Sequence, residues 1–435
     1  MNPTNISRVH ARRVWDSRGR PTVEAEVTLA GGVTGRAIAP AGASRGAREA
    51  IDLRDGGARF GGFGVAQAVA NVKGPIAKAL AGLDACNQFA VDTTLIHLDG
   101  TPNKARLGGN ATVAASMAVA QAAAAARSVP LWKYLAGDGA VSLPMPEIQI
   151  FGGGAHASRA LDLQDLMVMP IGATTFGDAI AMVAEIYRAA GELMADAGKL
   201  SGVADEGGFW PAFATNEEAL VMLVRAIERA GFRPGVDAAL SLDIAASGLG
   251  RDGRYTLALE GRELDRGQMT RLLMDWLDRY PIASIEDPFG EDDGEGWTMF
   301  ARAAAGRVQI VGDDYLTTNA PRVVAADADR SCNAVLIKVN QAGTLTEAKA
   351  ALDAGKHAGF GTIVSARSGE TEDVAIAHLA VGWNAGQLKV GSFARGERMA
   401  KWNEVLRIEE VLGDAAVYVG AAGLPVVLAK LSRNY

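Results

Sequence analysis

Hydrophobic and polar residues change their spacing along the chain, and each spacing predicts a different kind of element. Residues 22–40, TVEAEVTLAGGVTGRAIAP, alternate between apolar and polar positions on both sides of a Gly-Gly pair, which predicts two strands and a turn. Alanine-rich segments with helical spacing follow over residues 64–127. Strands followed by helices are typical of an α+β unit, and we predict one in this part of the chain.

Glycine and proline interrupt the pattern in residues 134–146, YLAGDGAVSLPMP. The length of 435 residues also exceeds what one ordinary core accommodates, so two domains are expected. We therefore predict a first domain over residues 1–138 and a second domain over residues 139–435.

The second part of the chain alternates short apolar runs with helical patterns. The runs are DLMVMP, AALSLDIAA, IASIED, VQIVGDD, AVLIKVN, TIVSARS and GQLKVG. This alternation predicts a parallel sheet in an α/β fold, and the number of repeats favours a β/α barrel. An open, doubly wound sheet is the structural alternative.

One intervening helix has clear boundaries in residues 215–231, TNEEALVMLVRAIERAG. Thr215 and Glu218 have the spacing of a capping box, and Gly231 is expected to end the helix. The predicted buried face contains Leu220, Leu223, Val224 and Ile227.

Charged residues follow one apolar run after another. They are Asp243, Glu286, Asp313, Lys338, Arg367 and Lys389. Taken singly, a carboxylate after a strand is commonly a helix N-cap or a solvated loop residue. Because parallel strands of a barrel end at one rim, however, these charged groups are expected to converge there. Gathering unpaired charge in this way is costly, which favours a functional site.

The residue types complement one another chemically. Three carboxylates provide the oxygen ligands that Mg²⁺ prefers, and a lysine beside a metal and a second cation can serve as a base because its pKa is lowered. Arg367 and Ser368 provide donors suited to phosphate. This set predicts abstraction of a proton next to a carboxylate, with metal stabilising the resulting enediolate.

Composition excludes several classes of partner. The formal net charge is −7, from 43 Lys and Arg against 50 Asp and Glu, so nucleic acid and anionic membranes are not expected. Cys86 and Cys332 are far apart without metal-ligand spacing, which is typical of a reducing compartment. The amino terminus lacks the apolar core of a signal peptide, and residues 111–126 are too rich in alanine for a membrane span. We predict a cytoplasmic protein.

Several segments carry a resemblance to a known family. They are DSRGRPTVEAEV, GASRGAREA, LDGTPNKARLGGNA, GGGAHA, ADEGGFWP, SLDIAAS, SIEDPFGEDD, GDDYLTTN, IKVNQAGTLTEA, RSGETED and ARGERMAKWNEVLRIEE. On these segments the chain resembles the enolase (phosphopyruvate hydratase) family over nearly its full length. The resemblance implies an N-terminal α+β capping domain and an enolase-type β/α barrel with an antiparallel element. It also implies a homodimer or higher oligomer that uses Mg²⁺ and a small phosphorylated or phosphonylated carboxylic acid.

The resemblance further implies metal ligands and catalytic residues. The tighter Mg²⁺ would be bound by Asp243, Glu286 and Asp313, and a second Mg²⁺ by Ser44. Lys338 would remove the C2 proton of the substrate, and Glu206 would protonate the departing C3 hydroxyl. The remaining catalytic residues would be Asp165 and His156, the latter closing over the site from a glycine-rich loop.

The residues that the resemblance assigns to substrate binding are Lys389, Arg367, Ser368, Gln164 and Glu286. For two of the assigned residues, an ordinary structural role is also compatible with the sequence. Among glycine and alanine, Ser44 also fits an ordinary turn residue, and Glu206 before Gly-Gly also fits an ordinary loop carboxylate.

The sequence departs from the family pattern around the leaving hydroxyl and the phosphate. Ala366 stands where the family has a histidine, and Asp165 stands where it has a glutamate one methylene longer. Residues 152–154 are Gly-Gly-Gly instead of Asn-Gly-Gly. Residues 41–45 are Ala-Gly-Ala-Ser-Arg instead of Ser-Gly-Ala-Ser-Thr. The metal ligands and lysines are retained, so we expect working proton abstraction with a shifted substrate or efficiency.

Three functions are compatible with these residues. The first is dehydration of 2-phosphoglycerate to phosphoenolpyruvate. The second is dehydration of a phosphonate analogue, as by a carboxyphosphonoenolpyruvate synthase-like paralogue. The third is a non-catalytic enolase-like binding protein, against which the retained Lys338, Lys389 and Glu206 argue.

Overall fold

The computed structural model describes residues 2–43, 45–157 and 161–426. Its first part contains a three-stranded antiparallel sheet in the order β1-β2-β3. The strands are β1 (Ile6–Trp15), β2 (Pro21–Leu29) and β3 (Thr34–Ile38). Gly32, with a φ of 87°, allows the tight turn between β2 and β3. The two strands and the Gly-Gly turn predicted from residues 22–40 are therefore confirmed.

The helices of this part include a long alanine-rich helix that packs on β2 and β3. They are α1 (Ala66–Asn71), α2 (Ala77–Leu80), α3 (Gln88–Asp99), α4 (Gly109–Ala126) and α5 (Leu131–Ala136), with a π-helical turn at Val72–Ile76. A Cβ on Gly35 of β3 would lie 2.2 Å from the backbone nitrogen of Ala122, so glycine permits the close approach of α4. None of the helices in the described residues combines the length and hydropathy needed to cross a membrane.

The second part is built around a closed barrel. Its strands and those beside it are β4 (Met145–Gly152), β5 (Asp165–Met169), β6 (Leu200–Val203), β7 (Phe209–Pro211), β8 (Ala239–Asp243), β9 (Gly250–Arg251), β10 (Arg254–Leu257), β11 (Arg262–Asp265), β12 (Ile282–Glu286), β13 (Gln309–Gly312), β14 (Ala334–Ile337), β15 (Gly361–Ser365) and β16 (Gly386–Ser392). Eight strands follow the order β16-β15-β14-β13-β12-β8-β5-β4 within the described residues, and pairing of β16 with β4 closes the barrel. Closure excludes the open, doubly wound alternative.

The direction of β5 corrects the all-parallel sheet expected from the residue pattern. β5 runs antiparallel to both β4 and β8, whereas the other barrel pairs are parallel. No α-helix separates β4 from β5 in the described part of the chain, so the connection lacks the crossover that parallel strands need. The mixed barrel implied by the family resemblance is confirmed. As a consequence, the first residue of β5, Asp165, lies opposite Asp243 at the rim where the parallel strands end.

Helices surround the barrel. They are α6 (Phe176–Asp196), α7 (Asn216–Arg229), α8 (Arg266–Arg279), α9 (Gly294–Ala304), α10 (Ala320–Asp329), α11 (Val339–Ala342), α12 (Leu345–His357), α13 (Ala375–Gly382) and α14 (Gly396–Leu412). The helix predicted in residues 215–231 is α7, and its N-cap Thr215 accepts the backbone N–H of Glu218 at 3.1 Å. The Glu218 carboxylate accepts the N–H of Ala214, one residue earlier than a capping box requires. Leu220, Leu223 and Ile227 are buried as predicted, and Val224 is half-buried.

A buried carboxylate joins the first part of the chain to the barrel. Asp92 of α3 accepts hydrogen bonds from the backbone N–H and the hydroxyl of Thr346, at 2.8 and 2.6 Å, near the start of α12. Its other carboxylate oxygen accepts from Ser116 at 2.7 Å and from Gln88 at 3.0 Å. Burial raises the pKa of Asp92, and these hydrogen bonds offset part of that increase.

Replacing this carboxylate should destabilise the fold more than replacing an exposed helix cap. Asp92→Ala leaves several buried donors unpaired, and we expect it to lower the free energy of unfolding by about 3 kcal/mol. The matched control is Asp265→Ala, which removes the exposed N-cap of α8 and should cost about 1 kcal/mol. Urea or thermal unfolding measures both losses. Equal losses would contradict a special contribution of the buried network.

Candidate active site

The carboxylates and lysines expected to form the site lie at one rim of the barrel. Asp243 and Glu286 are the last residues of β8 and β12, and Asp313 and Lys338 directly follow β13 and β14. Lys389 differs from the predicted position at a strand end, because β16 continues beyond it and places it inside the strand. Its side chain nevertheless reaches the same group of carboxylates.

The Lys389 ammonium group contacts three carboxylates from three different strands. Its Nζ lies 2.8 Å from Glu286 Oε2, 3.1 Å from Asp243 Oδ2 and 3.5 Å from Asp165 Oδ2. Burial lowers the pKa of Lys389, but these carboxylates, Asp243 foremost, raise it well above its ordinary value. Burial and the neighbouring Asp243 likewise raise the pKa of Glu286 well above its ordinary value. The arrangement holds a permanent positive charge within an acidic ring.

Lys338 forms a second ion pair beside this ring. Its Nζ donates to one carboxylate oxygen of Asp313, and Gln341 Nε2 donates to the other oxygen at 2.8 Å. Burial lowers the pKa of Lys338, but Asp313 outweighs this effect and the net pKa is raised. The lowered pKa expected from the sequence assumes a divalent cation nearby, and the ion pair by itself has the opposite effect.

His156 contacts the carboxylates of Asp165 and Glu206 and the hydroxyl of Ser368. Its Nδ1 lies 3.1 Å from Asp165 Oδ1, and its Nε2 lies 3.1 Å from Ser368 Oγ and 3.7 Å from Glu206 Oε1. Burial lowers the pKa of His156, but Glu206 and Asp165 more than compensate and raise it to about 9. The imidazole is therefore protonated near neutral pH.

Loop geometry explains how Glu206 reaches this wall. Glu206 lies in the turn between β6 and β7, and its carbonyl accepts the backbone N–H of Ser392 at 2.9 Å. The next residue, Gly207, has a φ of 94°, and a Cβ there would lie 2.6 Å from the carbonyl oxygen of Ala394. Glycine is therefore required at this position for the turn to pack against the end of β16.

Two amide side chains hold neighbouring carboxylates in place. Gln164, which sequence analysis identified, donates from Nε2 to Asp243 Oδ2 at 3.0 Å. Gln149, which sequence analysis missed, donates to Asp165 and accepts the backbone N–H of Gly208 at 2.8 Å. Gln149 points inward from β4, and only the register of β4 against β5 brings it to Asp165.

The expected phosphate clamp is paired with groups that the sequence did not reveal. Arg367 donates from its two terminal nitrogens to Glu49 at 2.9 and 3.2 Å, and to Asn340 Oδ1 at 3.0 Å. Burial lowers the pKa of Arg367, but Glu49 more than compensates and the net pKa is raised. Ser368 Oγ accepts the backbone N–H of Ala43 at 3.3 Å in addition to its contact with the imidazole. Ser368 thus contacts the beginning of the segment that leads to Glu49, and Arg367 contacts Glu49 itself.

These groups enclose a narrow cavity of about 20 Å³. Its walls are formed by His156, Gln164, Asp165, Glu206, Asp243, Lys338, Ser365, Ala366, Arg367, Ser368, Lys389 and Val390. A wider cleft of about 510 Å³ lies on the other side of Gln164 and is lined by Arg45, Glu291 and Asp314 among others. The narrow cavity is large enough for about one water molecule.

Ala366 forms part of the wall of the narrow cavity. It is 6% exposed, and its backbone N–H donates to the carbonyl of Lys389 at 2.9 Å. The small volume of the cavity shows that no large void replaces the longer side chain expected from the family pattern.

Ser44, predicted as a metal ligand, lies outside the described residues. On either side of it, the backbone N–H of Ala43 donates to Ser368 Oγ at 3.3 Å, and the exposed side chain of Arg45 pairs with Asp52 at 3.2 Å.

The donor set suits a hard divalent cation. Glu286 Oε1 is buried without a hydrogen-bond partner among the described residues, so one carboxylate oxygen is available for a cation. Asp243, Glu286 and Asp313 offer oxygen ligands, which Mg²⁺ prefers. Two groups have all their ligand atoms within 4.8 Å of one another in the described chain: Asp287, Asp313 and Asp314, and His156, Asp165 and Glu206. Asp313 is therefore both one of the three predicted metal ligands and a member of the cluster with Asp287 and Asp314.

Comparison with known proteins agrees with this architecture. The chain matches the family model "Enolase, N-terminal domain" over residues 6–135 and the family model "Enolase, C-terminal TIM barrel domain" over residues 140–425. It is also 50% identical over 419 residues to a protein named Enolase from Rubrobacter xylanophilus, an alignment that covers 96% of this chain and 97% of that relative. The resemblance inferred from sequence motifs and the prediction of an enzyme are both confirmed. The chain belongs to the enolase family and is a lyase.

Proposed function

We propose that the chain dehydrates 2-phosphoglycerate to phosphoenolpyruvate in a Mg²⁺-dependent reaction. The observation that carries this proposal is that Lys338 and Glu206 line one cavity. Lys389, which pairs with Asp243, lines the same cavity. A base, an acid and a cationic carboxylate-binding group are the components that the reaction needs. The similarity to the relative named Enolase supports the same reaction.

In the proposed reaction, the Nζ of neutral Lys338 accepts the proton from C2 of the substrate. The electron pair left at C2 delocalises into the adjacent carboxylate, whose negative charge the ammonium group of Lys389 stabilises. Glu206 then donates a proton to the C3 hydroxyl, the C3–O bond breaks, and water leaves as the C2–C3 double bond forms. Each of these residues is buried, which strengthens the electrostatic interactions that the steps require.

Asp243, Glu286 and Asp313 would hold Mg²⁺ in this proposal, and Ser44 would contribute to a second ion. A bound Mg²⁺ supplies Lewis-acid stabilisation of the negative charge that develops on the substrate carboxylate. Divalent charge near Lys338 also favours the neutral amine and so opposes the effect of Asp313 on its pKa.

Arg367 and Ser368 would bind the phosphate, while Gln164, Asp165 and His156 would line the side of the leaving hydroxyl. The narrow cavity of about 20 Å³ does not hold a three-carbon phosphoester as it stands. We therefore expect substrate to enter from the cleft of about 510 Å³ and to displace the side chains at Gln164 and His156.

We further propose a homodimer, or a higher oligomer, whose two-domain subunits divide between residues 138 and 139. The mildly acidic chain has no expected affinity for nucleic acid, and a cytoplasmic location agrees with its free cysteines Cys86 and Cys332. These proposals follow from family membership and composition.

Variants of the base and the acid should separate the two proton transfers. Lys338→Ala should abolish exchange of the C2 hydrogen with deuterated solvent and lower turnover by about 10²–10⁴-fold. Glu206→Gln should retain C2 exchange and lose elimination, because it removes only the proton donor for the hydroxyl. NMR of 2-phosphoglycerate in D₂O with MgCl₂ measures exchange, and absorbance of phosphoenolpyruvate measures elimination. Normal exchange in Lys338→Ala would contradict its assignment as the base.

The same assay decides between substrates. Robust formation of phosphoenolpyruvate by the unmodified enzyme excludes the altered substrate suggested by Ala366 and Asp165. If the enzyme binds Mg²⁺ but leaves 2-phosphoglycerate unchanged and dehydrates its carboxyphosphono analogue, the proposed reaction is wrong and the second function holds.

The protonated state of His156 leads to a pH prediction. Its folded pKa of about 9 lies above the ordinary value of about 6.5, so the protonated imidazole stabilises the folded protein fully below pH 6.5. This contribution, roughly 1–3 kcal/mol, should be lost as the pH rises through about 9. Histidine NMR should show a titration near pH 9 that is missing in His156→Gln. In Glu206→Gln the pKa should fall, and an unchanged midpoint would contradict the role of the carboxylate.

A further inference from the structure

A buried carboxylate outside the expected set of catalytic residues joins several parts of the site. Glu49 is 5% exposed and ends the loop that contains Ser44. Its Oε1 accepts the backbone N–H of Gly46 at 3.0 Å, and its own N–H donates to the carbonyl of Gly46 at 3.2 Å. These two hydrogen bonds close a turn at the carboxyl end of the loop.

The loop is also fixed at its beginning. Ala41 and Gly369 exchange a pair of backbone hydrogen bonds, each of 2.9 Å. Near the other end, a Cβ on Gly46 would lie 2.8 Å from the side chain of Thr317, so this part of the loop packs closely on the chain after β13. The described residues before and after position 44 are therefore each held by contacts with the barrel part of the chain, and Glu49 closes the turn at the second of these places.

Glu49 also fixes the orientation of the guanidinium group of Arg367. Its two oxygens accept from both terminal nitrogens of Arg367, at 2.9 and 3.2 Å, while Asn340 accepts from one of them at 3.0 Å. A forked pair of this type defines the plane of the guanidinium as well as its position. Removing the carboxylate would take away both hydrogen bonds of the forked pair, so the orientation of Arg367 depends on Glu49.

Gln341 extends the connection to a predicted metal ligand. Its Nε2 lies 3.2 Å from Glu49 Oε1 and 2.8 Å from Asp313 Oδ1, and its Oε1 accepts from Thr318 at 2.6 Å. The hydroxyl of Thr318 in turn accepts the backbone N–H of Lys338 at 2.9 Å. One amide therefore separates the carboxylate of Glu49 from that of Asp313.

We propose that Glu49 is a positioning residue that sets the distance between the phosphate-binding guanidinium of Arg367 and the metal-binding carboxylate of Asp313. The proposal rests on the proposed function for the roles of Arg367 and Asp313. Glu49 does not touch the reacting atoms. It acts through Arg367 on one side and through Gln341 on the other, and it fixes the loop of Ser44 relative to both.

A competing role for Glu49 has the opposite consequence. If the carboxylate only occupied Arg367 in place of the substrate, removing its charge would release the guanidinium and strengthen anion binding. If it positions Arg367, removing its charge weakens anion binding. The sign of the change therefore decides between positioning and competition.

The test uses Glu49→Gln, which keeps the shape of the side chain and removes its charge. Titration calorimetry of the full chain with inorganic phosphate and, separately, with MgCl₂ measures both affinities without any turnover. We expect affinity for each probe to fall by about tenfold, because a misplaced charged partner commonly costs this much or more. Unchanged or tighter phosphate binding would overturn the proposal.

A matched control removes a different partly buried ion pair. Glu347→Gln breaks the contact of Glu347 with Lys104, whose Nζ lies 2.8 Å away and is buried between the first part of the chain and α12. This variant should lower stability without changing affinity for phosphate or Mg²⁺. Equal losses of affinity in both variants would show a general structural effect and would overturn a specific role of Glu49.

A second variant keeps the proposal testable if Glu49→Gln does not fold. Gln341→Leu removes the amide that connects Glu49 to Asp313 and leaves the pair with Arg367 intact. It should weaken Mg²⁺ binding more than phosphate binding, and no loss of Mg²⁺ affinity would contradict the connection. Enzyme kinetics add a further readout, since kcat/KM of Glu49→Gln should fall about 10- to 100-fold. Absence of turnover in the unmodified enzyme would contradict only the proposed function, because both binding titrations are still decisive for Glu49.

Discussion

The site depends on the ion cluster around Lys389, where one ammonium group balances carboxylates from three strands. Burying these charges is unfavourable unless each finds partners of opposite sign at short range. Asp165, Asp243 and Glu286 meet that condition only when β5, β8 and β12 lie beside one another in the barrel. The ion cluster therefore depends on the closed sheet, because only the register of these strands brings the carboxylates to one ammonium group.

Around this cluster the polar groups form two connected walls. One wall contains His156, Glu206 and Asp165, and the shorter side chain of Asp165 is held by a contact from Gln149. The other wall contains Asp313, which accepts hydrogen bonds from Lys338 and Gln341. Ala366, which stands where the family pattern has a histidine, is one of the residues that line the cavity of about 20 Å³. The departures from the family pattern thus lie in the wall that contains Asp165 and Ala366, and the charged centre around Lys389 is preserved.

The first part of the chain contacts the candidate site as well as packing on the barrel. Glu49 reaches Arg367 across the boundary between the two parts, and Asp92 holds the start of α12 from α3. These contacts join segments that are hundreds of residues apart in sequence. Such long-range polar contacts are oriented by the packing of both parts together, which explains why the loop of Ser44 is fixed at both ends.

The sequence by itself determined the two-part organisation of strands and helices, the N-cap at Thr215 and the charged residues at successive strand ends. It could do so because periodicity, capping and strand-end charge are local properties of the chain. Tertiary structure decided the antiparallel direction of β5, the place of Lys389 inside its strand, and the contacts of Glu49 and Gln149. Strand direction and register depend on pairing between distant segments, and the sequence around a single carboxylate or amide does not reveal its hydrogen-bond partner. Local chemistry therefore predicted which groups form the candidate site, and only the folded chain showed what holds them in place.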